Sequence, residues 1–204
     1  MTAFDIQKIN DLSFFADNRL PAHSDHHAYP TRQATLAGED PFRHSLNGLW
    51  KFAYADSPAE AMTGFEQLDY DCHEWSDIRV PGSIQTQGYD HPQYVNVQYP
   101  WDGKEMVQPG QAPQRFNPVG HYVSYFSVPE HLAGKPLCIS FQGVESALAL
   151  WLNGHYVGYS TDGFTPAEFD LTPYLTTGEN KLAVQVFKWT AASWVEDQDF
   201  FRFS

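Results

Sequence analysis

After residue 45, apolar and polar positions alternate with a period of two through most of the chain. Leu46 to Tyr54 puts Trp50, Phe52 and Tyr54 on one face, and Asp77 to Val80 is a short strand closed by Pro81-Gly82. Tyr94 to Tyr99 alternates with Val95 and Val97 on one side; Tyr122 to Val128 and Leu137 to Phe141 do the same. Leu148–Leu152 and His155–Tyr159 flank Asn153-Gly154, which predicts a hairpin because a type I′ turn needs positive φ at both central residues. Phe169–Leu171 and Lys181–Trp189 add strands, the latter with Leu182, Val184 and Val186 facing inward. The helical signal is the capping box Ser57-Pro58-Ala59-Glu60, which predicts one short helix. Many short strands between Gly/Pro turns predict an all-β fold, an antiparallel β-sandwich.

Two stretches lack this texture. Residues 1–45 are polar and irregular, with Pro21, Pro30 and Pro41, and are expected to form an extended N-terminal arm lying over other structure. Residues 100–118 contain Pro100, Pro109, Pro113, Pro118, Gly103 and Gly110, which predicts a long ordered loop of the functional or interface-forming kind. The sandwich is expected over 46–204.

Composition narrows the function classes. The 204 residues carry 12 Lys plus Arg against 25 Asp plus Glu, a net charge of −13, which argues against a nucleic-acid or anionic-membrane partner. The longest unbroken apolar run, Ala147 to Leu152, is far short of the ~20 residues of a membrane helix. The start lacks the basic and apolar regions of a signal peptide. Cys72 and Cys138 form no Cys-x-x-Cys pair, and two reduced thiols suit a cytoplasmic protein. Aromatic residues make up 16% of the chain and need a core, a ligand or another surface to cover them.

His23, His26 and His27 in His-Ser-Asp-His-His have ligand chemistry for zinc, but share no helix face, so a solvated loop or an interdomain contact is the stronger reading. Glu196-Asp197-Gln198-Asp199 crowds carboxylates beside Trp194, Phe200 and Phe201, the company in which a glycosidase raises a carboxyl pKa. A solvated acidic turn competes with that reading, and does so more strongly for Asp162 and Glu168 around Pro166. Trp75, Trp101 and Trp189 read as core more readily than as ligand platforms, with Trp101, in its Pro-rich loop, the best candidate among them for exposure. No G-x-S-x-G, G-x-G-x-x-G, P-loop or H-E-x-x-H occurs.

The order of motifs is more specific than any one of them. Ser45-Leu46-Asn47-Gly48-Leu49-Trp50-Lys51-Phe52 is followed by Val80-Pro81-Gly82, Gln93 to Trp101, Asn117-Pro118-Val119-Gly120, Trp151 to Tyr159, Pro166 to Leu171, Gly178 to Val184 and Glu196 to Asp199. From about His23 to the end this resembles the N-terminal sugar-binding region of bacterial β-galactosidases of glycoside hydrolase family 2. The resemblance implies a jelly-roll sandwich preceding immunoglobulin-like domains and a TIM barrel. It implies that Asn96 hydrogen-bonds the galactosyl unit and that Asp199 contacts the sugar and helps hold sodium, with magnesium elsewhere in the whole enzyme. An amide offers a hydroxyl pair both donor and acceptor, and a carboxylate is a hard ligand for a hard cation.

The same resemblance places the catalytic glutamates on the barrel, which needs about 250 residues of its own. No catalytic residue is therefore assigned in this chain, which alone should be inactive. The family pattern also runs on beyond Ser204, so the sandwich is expected to be cut before its last strand, exposing an edge and a strip with Phe200, Phe201 and Phe203. The implied partners are a galactoside such as lactose, the remaining domains and further copies in a homo-oligomer. A stand-alone carbohydrate-binding module and a structural assembly domain remain as alternatives.

Overall fold

The computed structural model describes residues 4–24, 27–93 and 98–196. Among them run β1 (Ala16–Asp17), β2 (Gly48–Ala55), β3 (Ser76–Val80), β4 (Val119–Ser127), β5 (Cys138–Phe141), β6 (Ala147–Leu152), β7 (His155–Ser160), β8 (Ala167–Asp170) and β9 (Glu179–Phe187), with short helices α1 (Arg32–Ala37) and α2 (Ser193–Glu196). Seven strands form one sheet in the order β1-β7-β6-β9-β4-β2-β3, and β5 and β8 form a two-stranded ribbon. The pairings are antiparallel, so the fold is an all-β sandwich. The 94–97 part of the predicted Tyr94–Tyr99 strand lies outside the described residues, as do Asp25, His26 and everything after Glu196.

The Asn-Gly turn forms as its chemistry requires. Asn153 and Gly154 have φ of 53° and 79°, joining β6 to β7. The Asn153 side chain also leaves the turn. Its Nδ2 donates to Tyr174 O (2.9 Å) and Asn180 Oδ1 (2.8 Å), and its Oδ1 accepts from Lys181 N (2.9 Å). The hairpin is thereby fixed to the start of β9.

The large sheet is covered on both faces. Leu148, Leu150, Leu152, Leu182 and Val184 face Ile139, Ala167, Phe169 and Leu171 of the ribbon side. On the opposite face, Ala147, Ala149, Trp151, Ala183 and Phe187 lie under Ile9, Phe65 and Cys72. All six residues of β6 are buried, where alternation in a one-sided sheet would leave half exposed. In β9, Leu182 and Val184 do face inward, but Ala183 and Phe187 on the other side are equally buried.

The second face is closed by segments without a strand pattern. Phe4 and Phe14 stack on Tyr159 with centroids 5.2 and 5.1 Å away, and Ala191 N donates to Ile9 O at 2.7 Å. β1 pairs with β7 through Ala16–Ser160 and Asp17–Tyr159. Residues 4–20 thus belong to the sheet and its cover. The helix α1, absent from the sequence reading, is capped by Thr31, whose Oγ1 accepts from Ala34 N at 3.1 Å, and ends at Gly38 with φ of 69°. It is too short to show a helical period. The predicted helix after Ser57 is one 3-10 turn over Pro58–Glu60, and the Ser57 side chain makes no cap bond.

Two strands cannot roof a seven-stranded sheet. Between the ribbon and the inner face the described residues leave an open groove of about 1360 Å³, lined by apolar side chains including Trp50, Phe126, Leu137, Leu171, Val184 and Val186.

Candidate functional site

Residues 98–118, where Pro and Gly forbid regular structure, are ordered by side chains bonding to backbone. Glu105 is the hub. Its Oε1 accepts from Gln114 N, and its Oε2 from Arg115 N and Phe116 N, each at 2.9 Å. Burial pushes its carboxyl pKa up, but these three N–H groups outweigh that and hold it below the usual carboxylate range. Asp102 Oδ2 accepts from Tyr99 N (2.9 Å), and Asn10 Oδ1 accepts from Ala112 N (3.0 Å). The loop meets its donors without a ladder.

This loop is bound to the chain leaving β9. Asn117 Nδ2 donates to Pro113 O (3.1 Å) and Trp189 O (2.9 Å), and its Oδ1 accepts from Trp189 N (2.9 Å). A buried amide at a loop junction satisfies backbone from both strands at once. Trp194 Nε1 donates to Gln111 O at 2.6 Å. Tyr99 stacks on Trp101, with centroids 5.1 Å apart and planes within 4°, and also meets Trp194 at 4.3 Å. Trp101 meets Trp189 edge-on at 6.0 Å.

Trp101 is therefore core, and its candidacy for exposure is corrected. It is 1% exposed, the base of an aromatic cluster rather than a ring offered to solvent. Tyr99, two residues away, and Trp189 and Trp194, remote in sequence, cover it.

Among the ionisable groups here, Asp90 and Lys188 form an ion pair whose side chains are 8% and 15% exposed. Lys188 Nζ donates to Asp90 Oδ2, which also accepts from Gln85 Nε2 at 2.9 Å. Burial pushes the Asp90 carboxyl up. Hydrogen bonds from Lys188, Gln85 and the His91 N–H outweigh it and hold the pKa below the ordinary value. Asp90 and Glu105 are thus committed acceptors, without the raised pKa of a general acid.

The residues singled out from sequence fall as follows. Asn96 and Asp199 lie outside the described residues, as do Asp197 and His26. Tyr99, three positions after Asn96, and Trp194, five before Asp199, touch one another. His23 Nε2 pairs with Glu168 Oε2 at 2.7 Å, away from these loops, and Asp162 pairs with Arg19 at 3.3 Å. Among the described residues no group of three or more His, Cys, Asp or Glu side chains is placed to hold a metal ion. Cys72 and Cys138 are free thiols, one buried and one exposed. Glu105, Asn117, Asp90 and Lys188 were missed. The available signal was their type: carboxylates and an amide set among Pro and Gly, where the backbone needs side-chain partners.

A family model described as the sugar-binding domain of glycosyl hydrolases family 2 matches residues 43–204. The chain belongs to glycosyl hydrolase family 2. A β-galactosidase of Halalkalibacterium halodurans is 55% identical over 204 residues, covering 100% of this chain and 20% of the relative. A Streptococcus thermophilus β-galactosidase is 45% identical, covering 95% and 19%, and a Leuconostoc lactis β-galactosidase large subunit is 44% identical, covering 98% and 34%. This family 2 chain therefore spans only about a fifth to a third of the length of those relatives. A solved family 2 member from Bacteroides cellulosilyticus aligns with a TM-score of 0.51 at 25% identity, over 71% of this chain and 17% of that one. No helix among the described residues is long and apolar enough to cross a membrane.

Proposed function

We propose that this domain forms one wall of the galactose subsite of a β-galactosidase hydrolysing terminal β-D-galactose residues, as in lactose. Asn96 hydrogen-bonds the galactosyl unit. Asp199 contacts the sugar and contributes to a sodium site. The two catalytic glutamates lie on a TIM barrel outside this chain, and magnesium belongs to the rest of the enzyme. The jelly-roll domain sits in a larger cytoplasmic enzyme that assembles as a homo-oligomer.

The observation carrying this reading is the bond between the two loops. Residues flanking Asn96 and residues preceding Asp199 are stitched together through Tyr99, Asn117, Trp189 and Trp194. That arrangement ties together two segments from distant parts of the sequence, residues 98–118 and the chain leaving β9, which lead to Asn96 and Asp199 in the sequence. The names of the relatives supply the sugar. The committed state of Asp90 and Glu105 fits a wall that binds, since neither is free to donate a proton to a leaving group.

The test has two arms. The purified 204-residue chain is assayed with a chromogenic β-galactoside, and no turnover is expected; turnover would overturn the placement of the catalytic acids elsewhere. In the intact enzyme, Asn96→Ala and Asp199→Ala are expected to raise the galactoside KM at least roughly tenfold, as removal of sugar hydrogen bonds does. Unchanged KM in both variants would overturn the subsite. Tight galactose binding by the isolated chain, measured calorimetrically, would mean a stand-alone binding module instead.

A further inference from the structure

We propose that Asp90 and Lys188 are a positioning pair, a clasp that sets the distance between the loop bearing Asn96 and the loop bearing Asp199. The proposal rests on the function just given, because its readout is the galactose subsite.

Asp90 precedes Asn96 by six residues, and Lys188 precedes Asp199 by eleven. Each charge stands at the root of one loop. Lys188 follows directly on β9 and is pinned by its own backbone, its N–H donating to Pro118 O at 3.1 Å. Its side chain has little freedom, with the rings of Phe116 and Trp189 centred 5.8 and 5.4 Å from Nζ. Asp90 closes the turn after Ile84–Gln87, where Tyr89 N donates to Ile84 O at 3.1 Å. The carboxylate is oriented from the other side by Gln85. Both partners are thus aimed before they meet, which limits the entropy lost in pairing.

A buried ion pair is a poor way to gain stability, since desolvation cancels much of the attraction, but a good way to specify one geometry. A hydrophobic contact could hold these loops together at several registers. A charge pair with a third hydrogen-bond partner has one. The local surroundings call for such precision. Trp189 Nε1 and Gln93 Oε1, next to Lys188 in sequence and three residues from Asp90, are buried without hydrogen-bond partners among the described residues.

A backbone role must be separated from this one. Asp90 has φ of 52°, a left-handed conformation that Asp and Asn tolerate better than other side chains. Asp90→Asn keeps that tolerance and removes the charge. A role confined to the turn therefore predicts no effect of Asp90→Asn.

The experiment uses the intact galactosidase, with steady-state kinetics on a chromogenic galactoside, calorimetric Kd for a non-hydrolysable thiogalactoside, and thermal melting. Lys188→Met, Asp90→Asn and the double variant are expected to raise KM and thiogalactoside Kd together by roughly tenfold, the scale of a sub-ångström misplacement. Lys188→Arg, which keeps charge and reach, should restore most of the loss. The double variant leaves no unpaired buried charge, so it remains informative if Lys188→Met does not fold. A merely structural pair would lower Tm and the folded fraction, and hence kcat per total protein, with KM and Kd unchanged; that result overturns the proposal. Asn96→Ala measured alongside separates the two claims. If it weakens binding and the clasp variants do not, the clasp is wrong. If neither does, the subsite itself is wrong.

Discussion

Tyr99 rests against Trp194 at 4.3 Å between ring centroids, although the two are 95 positions apart in the chain. The Tyr99 hydroxyl also reaches Trp194 O, at 3.4 Å. The pair joins the segment that follows Asn96 in the sequence to the segment that precedes Asp199. Trp194→Ala should lower the unfolding free energy by about 2 kcal/mol, the value of a half-buried aromatic contact. Tyr99→Phe should cost about 0.5 kcal/mol, because a long hydrogen bond contributes little. Urea unfolding of both variants checks the order, and an equal loss would mean that the hydroxyl rather than the ring matters.

Glu105 holds three consecutive backbone N–H groups that have no ladder to join. Glu105→Gln replaces an acceptor oxygen by an amide that repels one or two of those donors. The expected cost is about 1 kcal/mol, the scale of a hydrogen bond lost at donors that water can reach. Hydrogen exchange at Gln114, Arg115 and Phe116 should speed up before any global unfolding. Undiminished protection there would show that the loop is held by other contacts.

His121 is fully buried in β4, and its partners fix its protonation. Met62 N donates to Nε2 at 3.1 Å and Gln185 Nε2 lies 3.0 Å from the same atom, so Nε2 is the acceptor and the proton sits on Nδ1, facing Ala53 O at 3.3 Å. Burial drives its pKa down from 6.5 to about 4, only partly offset by the Ala53 bond. The unfolded chain therefore binds a proton that the folded one refuses. Stability from this group is fully present above pH 6.5 and is lost as pH falls toward 4, at about 1.4 kcal/mol per pH unit. Asp90 and Glu105, with lowered pKa values, keep their contribution above their ordinary values of 3.8 and 4.5 and lose it as pH falls below them, so they add little to the change between pH 7 and 5. Urea midpoints at pH 7 and 5 should fall in the parent and change less in His121→Gln.

The groove under the ribbon is lined by buried and half-buried apolar side chains from both layers. An open apolar surface of this size binds hydrophobic dyes and favours self-association. The 204-residue chain should enhance anilinonaphthalene sulfonate fluorescence and sediment with concentration-dependent mass. A dye-silent, cooperative monomer would mean that the groove is closed in solution.

Period-two alternation at Trp50, Phe52 and Tyr54, at Tyr122 to Val128 and at Leu182 to Val186 marked β2, β4 and β9, since strand pleating leaves a local trace. Asn153-Gly154 marked its hairpin because positive φ is a property of two adjacent residues. β1 left no such trace. It is two residues long and exists only because Ser160 and Tyr159 of β7 offer partners to Ala16 and Asp17. The motif order marked the family, which the match over residues 43–204 shows.

By itself the amino-acid order determined the longer strands, the Asn-Gly turn and the kind of domain, because each depends on neighbours within a few positions. Only the tertiary structure decided that Trp101 is buried, that Glu105 organises a loop, and that Asp90 reaches Lys188. Those outcomes depend on which distant side chain arrives to satisfy a ring, a carboxylate or a charge, and no local pattern records that arrival.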